Sequence, residues 1–131
     1  MEDSAFIYKR LIVWQKAMSF MVEVYKLVKQ FPLDERYALS DQVRRAVVSV
    51  PSNIAEGAGR SSNKDYAHFL AIARGSLFET MTQLEGAERL GYITVPDEIV
   101  TAAAEIGRML TAMLKKFGTI QGNYSSDLNS L

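Results

Sequence analysis

The sequence predicts an all-α fold, an antiparallel up-down-up-down four-helix bundle. Three observations predict it. Apolar residues recur at intervals of three and four along four long segments. The few prolines and glycines, three and eight in 131 residues, fall mostly between those segments. The connections left over are short, which favours antiparallel neighbours.

The first helix is expected from about Phe6 to Gln30. Val13, Ala17, Phe20, Val24 and Leu27 form one apolar series, and Trp14, Met18, Met21, Tyr25 and Val28 form a second beside it. Lys16, Ser19, Glu23 and Lys26 make a narrow polar side. An apolar face this wide exceeds what burial on one side needs, and it points to self-association. Phe31-Pro32 ends the helix, because a residue before proline avoids the α region.

The second helix starts between Asp34 and Ser40, with Ser40 as candidate cap, and Val43, Val47, Val50 and Ile54 as its core stripe. Pro51 deletes the hydrogen bond to the Val47 carbonyl and is expected to kink the helix, while Gly57 and Gly59 end it. The run Val47-Val48-Ser49-Val50 also suits a strand, but the helical spacing continues on both sides of it.

Ser62-Asn63-Lys64-Asp65 reads as a capping-box variant opening a third helix that runs to Leu90 and stops at Gly91. Tyr66, Phe69, Leu70, Ala73, Leu77, Met81 and Leu84 line its inner face. Thr94-Val95-Pro96-Asp97 opens the fourth helix with Pro96 in its first turn, and Ile99, Ala103, Ile106, Leu110, Met113 and Phe117 carry its stripe. Residues 1–117 thus form the bundle, and the polar, aperiodic residues 118–131 are expected to be a mobile tail.

Composition narrows the function. A hydrophobic fraction of 48% is ample for a single core. Fifteen basic and fifteen acidic residues balance to zero, which disfavours nucleic-acid binding by bulk charge but permits a local basic patch. There is no cysteine and a single histidine, His68, which removes disulfides, thiol catalysis and any motif needing two histidines. No apolar run approaches the ~20 residues of a membrane span, and the acidic opening MEDS is unlike a signal peptide. A cytoplasmic protein without a membrane partner is expected.

Charge is unevenly distributed. Residues 36–74 carry six basic and three acidic groups, and residues 75–105 carry one basic and six acidic. Glu85 and Glu88 lie near the C-terminal end of the third helix, where the macrodipole disfavours anions, so a nearby cation is expected.

Three stretches carry a family resemblance: LIVWQKA from Leu11, QVRRAVVSVPSNIAEGAGR from Gln42, and FLAIARGSLFETMTQLEGAERLGY from Phe69. With Phe31-Pro32 and Glu35, they closely resemble the four-helix-bundle proteins encoded in 23S rRNA intervening sequences. The proline-containing helix is the most specific element, and the likeness covers roughly residues 6–117. The resemblance implies a left-handed bundle assembled as a homopentameric ring. A related branch comprises accessory proteins of diversity-generating retroelements, which bind nucleic acid and a reverse transcriptase. No catalytic residues are implied.

Candidate nucleic-acid contacts are Arg44, Arg45, Arg60 and Lys64. Arg45, Ser49, Ser52 and Glu56 share one stripe with Asn53 beside it. That pattern suits phosphate and base contact, or a structural seam in which arginine pairs with Glu79 or Glu85 of the third helix. Gly57-Ala58-Gly59-Arg60 follows a helix and lacks phosphate-loop spacing, so turn chemistry explains it. Gly75 and Gly86 in mid-helix suggest a tight helix contact, within the bundle or between subunits. Met18, Met21, Met81, Met109 and Met113 read as core filling, and Trp14 as core or interface anchor. No Glu-x-x-His pair, nucleophile–base pair or cofactor loop occurs, so no enzyme, metal or cofactor is expected. The function expected is an oligomeric adaptor for RNA or DNA. The alternative is a structural or protein-recruiting ring without nucleic-acid affinity.

Overall fold

The computed structural model describes residues 4–118. Of the expected tail at 118–131, all but Gly118 lies outside the described residues. Four helices account for most of the remainder: α1 (Ile12–Val28), α2 (Leu39–Ala58), α3 (Asn63–Arg89) and α4 (Asp97–Phe117). There is no strand among the described residues, so the valine-rich run is helical. α1 packs on α2 and α4, α3 packs on the same two, and the diagonal pairs keep their backbones apart across a shared core. The result is an up-down-up-down bundle with the α1–α2 and α3–α4 connections at one end.

The buried residues reproduce the expected periodicity. Val13, Ala17, Phe20, Val24 and Leu27 of α1 are buried, as are Val43, Val47, Val50 and Ile54 of α2. α3 contributes Leu70, Ala73, Leu77 and Leu84, and also the small residues Ala67, Ser76, Thr80 and Ala87, which let α2 approach closely. Tyr66, Met81, Met113 and Phe117 are only partly buried and pack on the rim of the core. At the end of α4, Leu114 is buried in place of Met113.

The helix ends differ in how closely they follow expectation. Ser62 Oγ accepts the Asp65 N–H at 3.1 Å and caps α3, as expected. α3 stops at Gly91, whose φ of +82° suits glycine. There the Tyr92 N–H donates to the Ala87 carbonyl and the Gly91 N–H to that of Glu88, a Schellman closure. α4 follows Pro96 directly, one residue later than expected, and ends at left-handed Gly118.

Three expectations are corrected. The first helix does not begin at Phe6. A 3-10 segment, Ser4–Arg10, precedes α1, and extended Leu11 (φ −70°, ψ 123°) separates the two. Ser40 is not a cap but a buried residue of α2, whose cap residue, Ala38, offers no side-chain bond. Glu35 substitutes, its Oε1 accepting the Leu39 N–H at 3.3 Å. Gly57 does not end α2, which runs to Ala58 and passes unbroken through buried Pro51.

Candidate nucleic-acid interface

α2 carries two of the four candidate cations on its N-terminal half. Arg45 faces solvent, with its side chain 80% exposed, and pairs with Asp41 one turn earlier at 3.0 Å. Arg44 is half-buried, and its Nη2 donates to the Arg36 carbonyl at 3.2 Å. That bond ties α2 to the turn before it. Neither arginine meets Glu79 or Glu85. Glu79 accepts from Gln83 Nε2 at 3.3 Å, and Glu85 pairs with Arg89 at 2.7 Å. In each case a partner one turn away on the same helix is nearer than one across the bundle. Glu88 instead takes a backbone donor from the α3–α4 connection, its Oε1 accepting the Val95 N–H at 2.7 Å.

The seam between α2 and α3 is therefore polar but neutral. Ser49 Oγ lies 2.8 Å from Ser76 Oγ. Asn53 Nδ2 donates to both the carbonyl and the hydroxyl of Ser49, each at 2.8 Å. Buried Thr80 donates back to the Ser76 carbonyl. These short side chains satisfy one another within a narrow gap that no arginine enters.

The other two candidate cations sit at the α2–α3 turn. Arg60 pairs with Glu56 at 3.4 Å, and its guanidinium lies 4.6 Å from the Phe69 ring centroid. Lys64, in the first turn of α3, is exposed. Gly57 makes this arrangement possible. A Cβ there would lie 2.8 Å from Phe69 Cβ and 3.0 Å from Tyr66 Cδ1, so only glycine admits this close approach. Arg44 and Arg60 are sixteen positions apart, about 24 Å along a helix. The four cations form two separate pairs rather than one patch.

The remaining predicted motif residues divide between packing and surface. Trp14 is half-buried, edge-on to Tyr8 of the N-terminal segment at 5.2 Å. Gly75 and Gly86 have open space where a Cβ would stand, so no contact within the chain requires them. His68 is exposed. No cluster of three metal-ligating side chains occurs among the described residues, and no helix there is long and apolar enough to cross a membrane.

One contact escaped the sequence. Tyr92 Oη donates to Glu35 Oε2 at 2.7 Å, and the Tyr92 ring packs on Phe31 at 6.0 Å. The bond to Glu35 raises the Tyr92 hydroxyl above the usual tyrosine value. Glu35 stands four residues before Leu39, the one available signal that it caps α2.

Comparison with curated proteins gives no match. The family described as 23S rRNA-intervening sequence protein matches residues 9–112. Among solved structures, the chain is similar to a protein of unknown function from the S23 ribosomal protein family of Bacteroides thetaiotaomicron VPI-5482. Identity is 30%, 79% of this chain and 99% of the other are covered, and the TM-score is 0.71. Neither match names an enzymatic activity. On the sequence match and the shared bundle together, the chain belongs to the 23S rRNA-intervening sequence protein family.

Proposed function

We propose that the chain is a non-enzymatic homo-oligomeric adaptor, a homopentameric ring that holds RNA or DNA on basic surfaces repeated around it. The observation that carries the oligomer is the second apolar series of α1. Of that series only Val28 is buried inside the chain: Trp14, Met18 and Met21 are half-buried, Tyr25 is 36% exposed, and Val22 beside them is 44% exposed. A monomer has no use for such a surface. The subunit number rests on the resemblance. Two pairs of cations per subunit, multiplied around a ring, add weak phosphate contacts by avidity.

A second reading has its own support. Arg45 and Arg60 already pair with Asp41 and Glu56, and Arg44 is engaged by a backbone carbonyl. A structural or protein-recruiting ring without nucleic-acid affinity uses these arginines as they stand.

Light scattering gives the oligomer mass, and titration with labelled structured RNA and duplex DNA at low and near-physiological salt decides between the readings. The adaptor reading expects binding that falls linearly in log salt. It also expects the Arg44→Ala, Arg45→Ala double variant to bind more weakly while keeping its assembly. Absence of binding at low salt overturns the adaptor and leaves the recruiting ring.

A further inference from the structure

The bundle carries two grooves on opposite sides. One lies between α1 and α2, about 470 Å³, walled by Met21, Val22, Tyr25 and Val48, with Lys26 and Lys29 as its charged residues. The other lies between α3 and α4, about 720 Å³, with Phe78, Met81 and Val100 as its apolar wall and Glu85, Glu88 and Asp97 as its charges. Tyr25 at 36%, Phe78 at 47% and Val100 at 49% exposure are large apolar side chains left in water.

The two grooves match in height as well as in kind. Lys29 follows the end of α1, Glu88 is one residue from the end of α3, and Asp97 opens α4. All three belong to the end shared by the α1–α2 and α3–α4 connections. A rotation axis running along the helices sets equal heights against each other, so lysines meet carboxylates and apolar walls meet apolar walls. Away from that end the α3–α4 groove turns basic, with Arg108 and Lys115. An inverted copy would bring Lys26 and Lys29 towards those cations, so charge selects the parallel arrangement. The present partners of these charges, Glu23 for Lys26 and Arg89 for Glu85, are exposed one-turn pairs that hold them weakly.

Accordingly, we infer that the α1–α2 groove of one chain receives the α3–α4 groove of a second copy, side by side and parallel. This rests on the oligomeric reading above and names its mating faces. The contact is heterologous, using a different patch on each subunit, and therefore closes only as a ring.

Two variants test it. Tyr25→Glu with Lys29→Glu spoils only the first face, and Phe78→Asp with Val100→Asp removes the apolar wall of only the second, so that the two spoiled faces are both acidic and repel each other. All four positions are exposed, so circular dichroism and melting verify that each variant folds. By light scattering, each variant alone is expected at the monomer mass of 14.6 kDa. Mixed in equal amounts, they are expected to form a 1:1 heterodimer of about 29 kDa, twice the 14.6 kDa monomer, that grows no further, because each retains the face the other has lost. A variant that keeps the wild-type assembly, or forms a dimer by itself, overturns these faces while leaving the oligomer intact. A wild-type chain that is itself monomeric overturns the oligomer and the inference together.

Discussion

The Tyr92 hydroxyl reaches back 57 positions to the Glu35 carboxylate, 2.7 Å away. The same carboxylate accepts the Leu39 N–H at the start of α2. One side chain thus starts a helix and fastens the α1–α2 connection to the α3–α4 connection.

Removing that hydroxyl in Tyr92→Phe is expected to lower the melting temperature by roughly 2–6 °C at neutral pH. The dependence on pH has a definite sign. The bond raises the folded-state value of the tyrosine above its ordinary 10.0. Its contribution is therefore fully present below pH 10 and lost as pH rises through the folded value. The gap between wild type and Tyr92→Phe should narrow in alkaline melts.

Two glycines should respond oppositely to alanine. At Gly57 a Cβ would stand 2.8 Å from Phe69 Cβ, closer than packed carbons approach. Gly57→Ala should destabilise by about 1–3 kcal/mol in urea, the cost of moving α3 outweighing the gain in helix propensity. At Gly75 nothing lies within 4 Å. Gly75→Ala should stabilise the isolated chain by about 1 kcal/mol.

The neutral seam can be measured by a double-mutant cycle. Ser49→Ala and Ser76→Ala each remove one side of the 2.8 Å hydroxyl contact. Each single change should cost about 0.5–1.5 kcal/mol. The double variant should cost less than their sum, because the second change no longer orphans a partner.

Arg89→Ala should leave stability within about 0.5 kcal/mol of wild type, since exposed ion pairs contribute little. Its 2.7 Å pair with Glu85 is 79% and 62% exposed on the two sides. Denaturant melts at two salt concentrations would show the same small difference.

Much of this fold is legible in the sequence because its signals are local. Ser62, Gly91 and the stripe Val43-Val47-Val50-Ile54 each act through neighbours within one or two turns, and each does in the structure what its spacing predicts. The N-terminus is not legible in that way, because the apolar period continues through Leu11 while the backbone there is extended. The candidate site is less legible for a different reason. Charge balance between segments allows a seam in which Arg44 or Arg45 pairs with Glu79 or Glu85. Summed charge carries no information on direction, and Asp41 and the Arg36 carbonyl were nearer. Gly57 looked like punctuation because a close approach depends on Phe69, a residue on the next helix.

On the adaptor reading, the guanidinium resting on Phe69 bears on how fast, as well as how tightly, the α2–α3 turn would meet an anion. Arg60 lies over a ring and beside Glu56, an exposed one-turn partner that holds it only weakly. An incoming phosphate would find this cation already stacked on the ring, with one exposed carboxylate to displace. Lys64, a compact and strongly hydrated cation on a flexible stem, has its ordering still to lose. On that reading the two neighbours would divide the work of capture, the lysine searching and the arginine already placed.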